Sequence, residues 1–515
     1  MKKVLWLVII LAVLILGLPG LIGSMAESKA YEQIELVKDN PAFTLKISNY
    51  DRGWFSSDVT YEYGLKDDYI DLLERSGSNP QGSDTTTHEG PDHSQSSSDD
   101  SKSWRDVAAP LEMLGTITHG PIGLHDGLFF GLFKADITNG PDNPRLNEFL
   151  QATGMPHLFQ SQIATGFTGN TEFSATIPAV DADATTLPAG NGLRSVEFTG
   201  LTLSGDYAAG AQHLVSEGSS ERLNIVADDL SMTMQGLTFD TDTSIKVPAL
   251  PFGTFAFAVD QMRVFDANSS QAGLFELSNL TFNADTTQGG STDTANVVAS
   301  YKIAQVTAAE NVLTDLEMTM QMDNLSIAAT ERYTQWSQEF GTADQNNPEL
   351  IQQMVKDFTP IAHQFMAVSP SLTISPLKFT ANQEPFESEI KLNIDGSKLP
   401  PADEFDVTNI PVWLAVLTGE ANASISEPLA TTMAVSSARS QLLEVLEGQD
   451  GITLEQINEM AINQAPIVIE TLVGQGMIQR SDGKLGAQVS YGNGALLLNG
   501  QPMPIDALMG GAPSL

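Results

Sequence analysis

Seven histidines and no cysteine bound the chemistry open to this 515-residue chain. Without cysteine there can be no disulfide, thiolate zinc site, iron–sulfur cluster or cysteine nucleophile. His119 and His125 flank Gly120-Pro121-Ile122-Gly123-Leu124, and Asp126 adjoins the second imidazole. Two imidazoles and a carboxylate can hold zinc, or carry out acid–base work in a hydrolase. The competing reading is of turn residues ahead of a strand that starts near Leu128. His88, Glu89, Asp92 and His93 form a weaker metal-binding set, in a stretch whose composition reads as solvated linker. Asp181, Asp183, Asp240 and Asp242 offer oxygen ligands for calcium but lack the spaced glycines of calcium loops. His363, in a helical segment with Phe358 and Phe365, reads as a packed core or interface histidine. Phosphate-binding, dinucleotide-binding, zinc-protease and serine-hydrolase signatures are all missing from the sequence. The sequence therefore assigns no catalytic residue, no metal site and no cofactor.

Two further sets could act by binding. Tyr50-Asp51-Arg52-Gly53-Trp54-Phe55-Ser56-Ser57 lies between two alternating segments and has the length of a hairpin connection. Gly53 would set the turn, Arg52 would fix it by bonding backbone carbonyls, and Trp54 and Phe55 would cap the end of a core. Met232 and Met234 alternate with polar residues, as do Met318, Met320 and Met322. Methionine is soft and adaptable, so these positions read either as core or as a groove for acyl chains or a partner's apolar segment.

The elements that position these residues are mostly strands. Phe43, Leu45 and Ile47 alternate with polar residues, and so do Val59, Tyr61 and Tyr63. Period two marks a half-buried sheet. A local pattern recurs as Gly200-Leu201, Gly236-Leu237, Asn279-Leu280, Asn324-Leu325 and loosely Pro376-Leu377. Its spacing is too irregular for a propeller or solenoid and suits a long antiparallel meander. Helices are expected from Asn347 to about Met366, from a Thr453/Gln456 capping box to about Leu472, and near Gln441–Leu446. This is thin cover for so large a sheet. The expected fold is thus mainly β (α+β): a long curved antiparallel meander with a few covering helices and one N-terminal transmembrane helix. The chain closes on Asn493-Gly494 between apolar runs, a hairpin signal.

Residues 4–23 carry no charge and follow Lys2 and Lys3. Such a run just suffices to cross a bilayer, with the N-terminus cytoplasmic and the body on the far side. Cleavage after Ala26, as of a signal peptide, is the alternative. The expected organisation is a signal-anchor over 1–26 and one elongated β-rich body over 27–515. That body would carry a disordered Ser/Asp-rich insertion at 76–103. The chain has 64 acidic and 25 basic residues, a net charge of −39. That balance excludes a nucleic-acid partner, which needs clustered Lys and Arg.

The order of Tyr50-x-Arg52-Gly53-Trp54-Phe55-Ser56-Ser57, His119-Gly120-Pro121, Gln335-Trp336, Asn347-Pro348-Glu349-Leu350, Ser369–Leu377, Tyr491–Gly494 and Leu498–Met503 resembles the YdgA-like family of bacterial inner-membrane proteins. The likeness covers almost the whole chain, and the 76–103 segment looks like an insertion relative to it. The resemblance implies a single-pass inner-membrane protein with a periplasmic body, open to self-association as a homo-oligomer. It brings no catalytic residue. In architecture alone the β-repeats are also similar to AsmA-type envelope proteins linked to lipid traffic. The function expected is non-enzymatic binding of a hydrophobic ligand, lipid or envelope-protein partner by an apolar sheet face. A periplasmic hydrolase using His119 and His125, or a purely structural scaffold, are the alternatives.

Overall fold

The fold was analysed in a computed structural model of the chain. The structure describes Glu27, Tyr31, Ile34 and residues 42–67, 69–71, 110–119, 129, 131–140, 144–187, 193–247, 249–266, 273–308, 311–340, 348–446 and 453–504. The apolar run 4–23, the 76–103 segment and His125 lie outside the described residues. Among the described residues, no helix is long and apolar enough to cross a membrane. The fold is mainly β, a long open antiparallel sheet with helices, and contacts divide it into two compact units. The first comprises the chain up to Glu221 together with Thr334–Met354, the second Arg222–Tyr333 and the chain from Val355 onward.

The first unit holds β1 (Phe43–Arg52), β2 (Ser56–Leu65), β3 (Leu111–His119), β4 (Phe133–Asn139), β5 (Gln160–Thr165), β6 (Thr171–Ile177), β7 (Val180–Asp183), β8 (Leu193–Phe198), β9 (Leu201–Ala208) and the first part of β10 (His213–Ala227). An antiparallel ladder runs β1-β2-β3-β4-β5-β6-β9-β10. In β1 the register slips between Ile47 and Asn49. Ile47 stands opposite Tyr61 and Tyr50 opposite Val59, so the slip keeps Ile47 and Tyr50 on one face despite their odd spacing. Because of it, both strands continue through the expected connection, and only Gly53–Phe55 remain as turn. Val59, Ile117 and Ala135 are the buried centre of this ladder, flanked by Ile47, Tyr50, Tyr61, Phe133 and Ile163. Gly115 lets Val59 and Tyr61 close over the sheet, since any Cβ there would collide with the Val59 side chain. Helix α1 (Pro144–Thr153) buries Leu150 in a second cluster with Met155, Val180, Ala182 and Leu187.

The second unit holds β11 (Leu230–Ser244), β12 (Phe252–Asp266), β13 (Gly273–Gln288), β14 (Thr294–Ala308), β15 (Asn311–Ser326), β16 (Ser371–Ala381), β17 (Glu384–Ile394), β18 (Leu417–Ser426), β19 (Gln479–Ser481), β20 (Lys484–Gly492), β21 (Ala495–Leu498) and β22 (Gln501–Met503). Its helices are α2 (Ile327–Phe340), α3 (Pro348–Ala367), α4 (Ile410–Val416), α5 (Glu427–Leu446) and α6 (Leu454–Gly474), of which α2 and α3 also supply residues to the first unit. Consecutive strands pair from β11 to β18, then β18 pairs β20, and β21 and β22 follow. Tight turns close its hairpins with residues at positive φ. Asn493-Gly494 does this as expected, and Asp482-Gly483 and Asn499-Gly500 do the same.

The recurring Gly/Asn-Leu pattern has a conformational meaning. Gly200, Gly236, Asn279 and Asn324 all adopt positive φ immediately before their leucine. Within the long strands, pairing is interrupted along one line through Gly236, Asp260, Asn279, Ala304 and Asp315. Asp315 also has positive φ. The parity of the apolar residues reverses at this crease. Phe275 and Leu277 give way to Leu280, Phe282 and Ala284 in β13, and Leu313 gives way to Leu316, Met318 and Met320 in β15. Period two alone would send one set to each face. The left-handed residues supply the reversal that keeps both sets on one side.

Helices α3 and α6 match their expected bounds closely, and Thr453 and Gln456 cap each other reciprocally. The helix expected near Gln441–Leu446 is the end of the much longer α5. Helices α1, α2 and α4 were not expected, so the sheet has more cover than the amphipathic pattern suggests. The strands β15 and β18 pass into α2 and α5 without a loop. Buried Ser326 accepts from the Ala329 N–H at the first hand-over, and buried Ser426 from the Leu429 N–H at the second, each at 3.3 Å. Side-chain oxygen at that position satisfies a helix donor that would otherwise lack a partner.

Candidate functional site

The chemistry-bearing residues of the first unit converge at one end of its ladder. Strand pairing brings Ser57 opposite Ile117, two residues from His119. The Ser57 Oγ and His119 Nε2 lie 3.0 Å apart, and each residue is 1% exposed. The His119 N–H donates to the Phe55 carbonyl at 2.9 Å, tying the turn to β3. The Tyr50 hydroxyl is buried beside Ser57 without meeting hydrogen-bond geometry. Burial chiefly holds it above the usual tyrosine range, while neighbouring Ser57 draws it down. A serine and an imidazole in contact are the elements of a nucleophile and its base. Here both are sealed from solvent, and the contact joins β2 to β3 beside the turn.

The motif residues around this contact behave differently from expectation. Arg52 does not fix the turn through backbone carbonyls; its Nη1 donates to the Glu27 carboxylate at 3.1 Å. Gly53 takes no positive φ; glycine is needed because a Cβ would press on the Ser56 carbonyl, which accepts the Gly53 N–H at 2.9 Å. Trp54 and Phe55 do not cap the core. They are 56% and 48% exposed, because the turn carries them past the last paired row, Arg52 with Ser57. Ser56 pairs with Thr118 at the start of β2.

The other candidate residues scatter. The strand expected near Leu128 begins at Phe133. His363 Nε2 lies 3.1 Å from the Pro400 carbonyl, and its ring meets Phe405 edge-on at 5.3 Å. Asp183 accepts from Thr185 and Thr186 in a turn, and these bonds pull its carboxyl below the usual range. Asp240 and Asp242 are exposed on β11. Among the described residues no three His, Asp or Glu side chains group to hold a metal ion.

The methionines occupy an extended apolar surface in the second unit. Met234 stands opposite Met262, and Met232 opposite Val264. Across the crease the register forms three rows. Phe239, Phe257, Phe282, Tyr301, Met318 and Leu377 make the first. Phe255, Ala284, Ala299, Met320, Ile374, Ile390, Ala421 and Val489 make the second. Val297, Met322, Leu372, Leu392, Gly419, Tyr491 and Leu496 make the third. All five methionines are half-buried. The Phe282 ring lies 4.6 Å from Tyr301 and 5.9 Å from Phe255. The second and third rows end in an open cavity of about 230 Å³, walled by Leu392, Leu414, Leu417, Ala421, Val489 and Leu496. Gly419 leaves its floor free, and the Tyr491 hydroxyl donates to the Leu414 carbonyl at 2.5 Å. The sequence signalled the methionines by alternation. It did not signal the cavity, whose walls come from α4, β17, β18, β20 and β21.

An open, creased antiparallel sheet with an apolar, methionine-bearing face defines a mainly β protein. Residues 1–506 match the model of the family described as bacterial protein of unknown function (DUF945), and the chain belongs to that family. No curated protein and no solved structure matches it. The YdgA-like resemblance is compatible with this membership.

Proposed function

We propose that this is a non-enzymatic envelope protein, anchored in the bacterial inner membrane by residues 4–23 with its body in the periplasm. Its second unit would take up a hydrophobic ligand, an acyl chain or the apolar segment of a protein partner, on the methionine-bearing face. The observation that carries this reading is the continuity of the register-matched apolar rows into the cavity at Gly419. Half-buried apolar side chains retain surface that a ligand can remove from water, at about 25 cal/mol per Å². Methionine adapts to chains of differing shape.

The test is native mass spectrometry of the detergent-extracted full chain, followed by titration with a fluorescent fatty acid. Co-purifying lipid or saturable probe binding is expected. G419V should weaken the probe, because a Cβ at that position already meets the Leu392 side chain at 2.8 Å and its methyls would fill the cavity. M320L should bind as the parent does, since volume and polarity are kept. A chain that carries no ligand, and whose probe binding is indifferent to G419V, would be a scaffold instead.

A further inference from the structure

The geometry points to a membrane-docking edge on the first unit: the turn end of its ladder rests in the lipid interface beside the anchor. This inference rests on the anchor reading given above. One row of the ladder runs through His119, Phe133, Thr165, Thr171, Tyr207 and Leu214. Beyond that row, on the same end, lie the β1–β2, β5–β6 and β9–β10 turns. Their sequences are Gly53-Trp54-Phe55, Gly166-Phe167-Thr168-Gly169-Asn170 and Ala209-Gly210-Ala211-Gln212. None of the three carries a charge, in a chain whose net charge is −39, and the β3–β4 connection of residues 120–132, which leaves from the same end, has Asp126 as its one acidic residue. Two of them present large aromatics, with Phe167 58% exposed alongside Trp54 and Phe55. Aromatic rings at this level of exposure suit the headgroup region, which favours Trp and amphipathic surfaces.

The contact between Arg52 and Glu27 fixes which way this end faces. Glu27 is four residues from Gly23, where the apolar run stops. Four residues span at most about 14 Å. The salt bridge therefore holds the β1–β2 turn near the point where an anchor would leave the bilayer, at the ladder end that the other two turns share. An acidic body is repelled by an anionic leaflet; turns with so little charge lessen that repulsion where approach is closest. The occupant of this surface is the lipid interface itself.

The absence of native cysteine makes the test direct. Full-length F167C, A211C and T176C chains are each labelled with an environment-sensitive fluorophore. They are reconstituted into vesicles of phosphatidylethanolamine and phosphatidylglycerol and challenged with lipids spin-labelled near the headgroup. Thr176 is exposed on β6, five residues along the strand from Thr171 and so about 17 Å from the turn row. Retention through an alkaline carbonate wash reads the anchor separately. Retained chains whose F167C and A211C labels shift to the blue and lose most of their emission, while the T176C label does neither, support the proposal. Retained chains in which all three labels stay solvated overturn it and leave the anchor intact. Chains stripped by carbonate overturn the anchor reading and the docking edge with it.

Discussion

Ser57 and His119 share a 3.0 Å hydrogen bond between two strands, although the 76–103 segment separates them in sequence. Neither is reachable by solvent. S57A removes a buried hydrogen bond to the His119 ring, which costs roughly 1–3 kcal/mol. Urea unfolding should show that loss. The S57A/H119A pair should cost less than the sum of the single changes, because both remove the same contact.

The crease gives a second prediction. Gly236 has positive φ, and a Cβ there would collide with the Asp260 carboxylate. G236A should therefore destabilise by more than the 1–2 kcal/mol or so that a left-handed alanine costs by itself. Asn279 has the same conformation with φ of 50°. N279G should be nearly neutral, whereas N279V should lose about 1–3 kcal/mol. Thermal melts of the three variants rank them.

Tyr61 sets an alkaline limit. Burial first, then the neighbouring Tyr50, raise its hydroxyl to about 12. An unfolded tyrosine ionises near 10. Below that pH the ring is neutral in both states and stability is complete. Between 10 and 12 the unfolded chain loses its proton first, so stability falls, by about 3 kcal/mol when pH reaches the folded value. Urea midpoints measured across this window should decline for the parent and decline less for Y61F.

Glu317 joins Lys302 at 3.0 Å and Lys378 at 2.8 Å across three strands. Lys378, then Lys302, hold its carboxyl below the usual range. The contribution is present at neutral pH and fades as pH falls through that lowered value. Both lysines are well exposed, so E317Q should cost no more than about 1 kcal/mol, and molar salt should erase the difference.

Much of the ladder was legible from alternation, and the Thr453/Gln456 pair marked α6 to within a few residues. The missed helices are short, at 10, 14 and 7 residues, and α2 follows its strand with no loop to mark the change. Helix α5 begins Glu427-Pro428 and is rich in Ser, Thr and Ala, so only its Leu-rich end stood out. The crease left a trace in the sequence, because Phe275 and Leu277 are out of step with Leu280 and Phe282. Alternation within either segment does not show it; only the change of step between them does. The Ser57–His119 contact left no such trace. Local pattern cannot pair residues on strands whose neighbourhood is decided by tertiary packing.

The direct passage from strand to helix at Ser326 recurs at Ser426. Each is followed by two helices and then a hairpin closed by two consecutive residues at positive φ, Asn382-Gln383 in one case and Asp482-Gly483 in the other. The chain thus uses one supersecondary block twice. Sheets assembled from repeated blocks can lengthen or shorten by a whole block while the pairing already in place keeps its register. In such a chain, relatives of different length would be read as gains and losses of modules, not as scattered insertions.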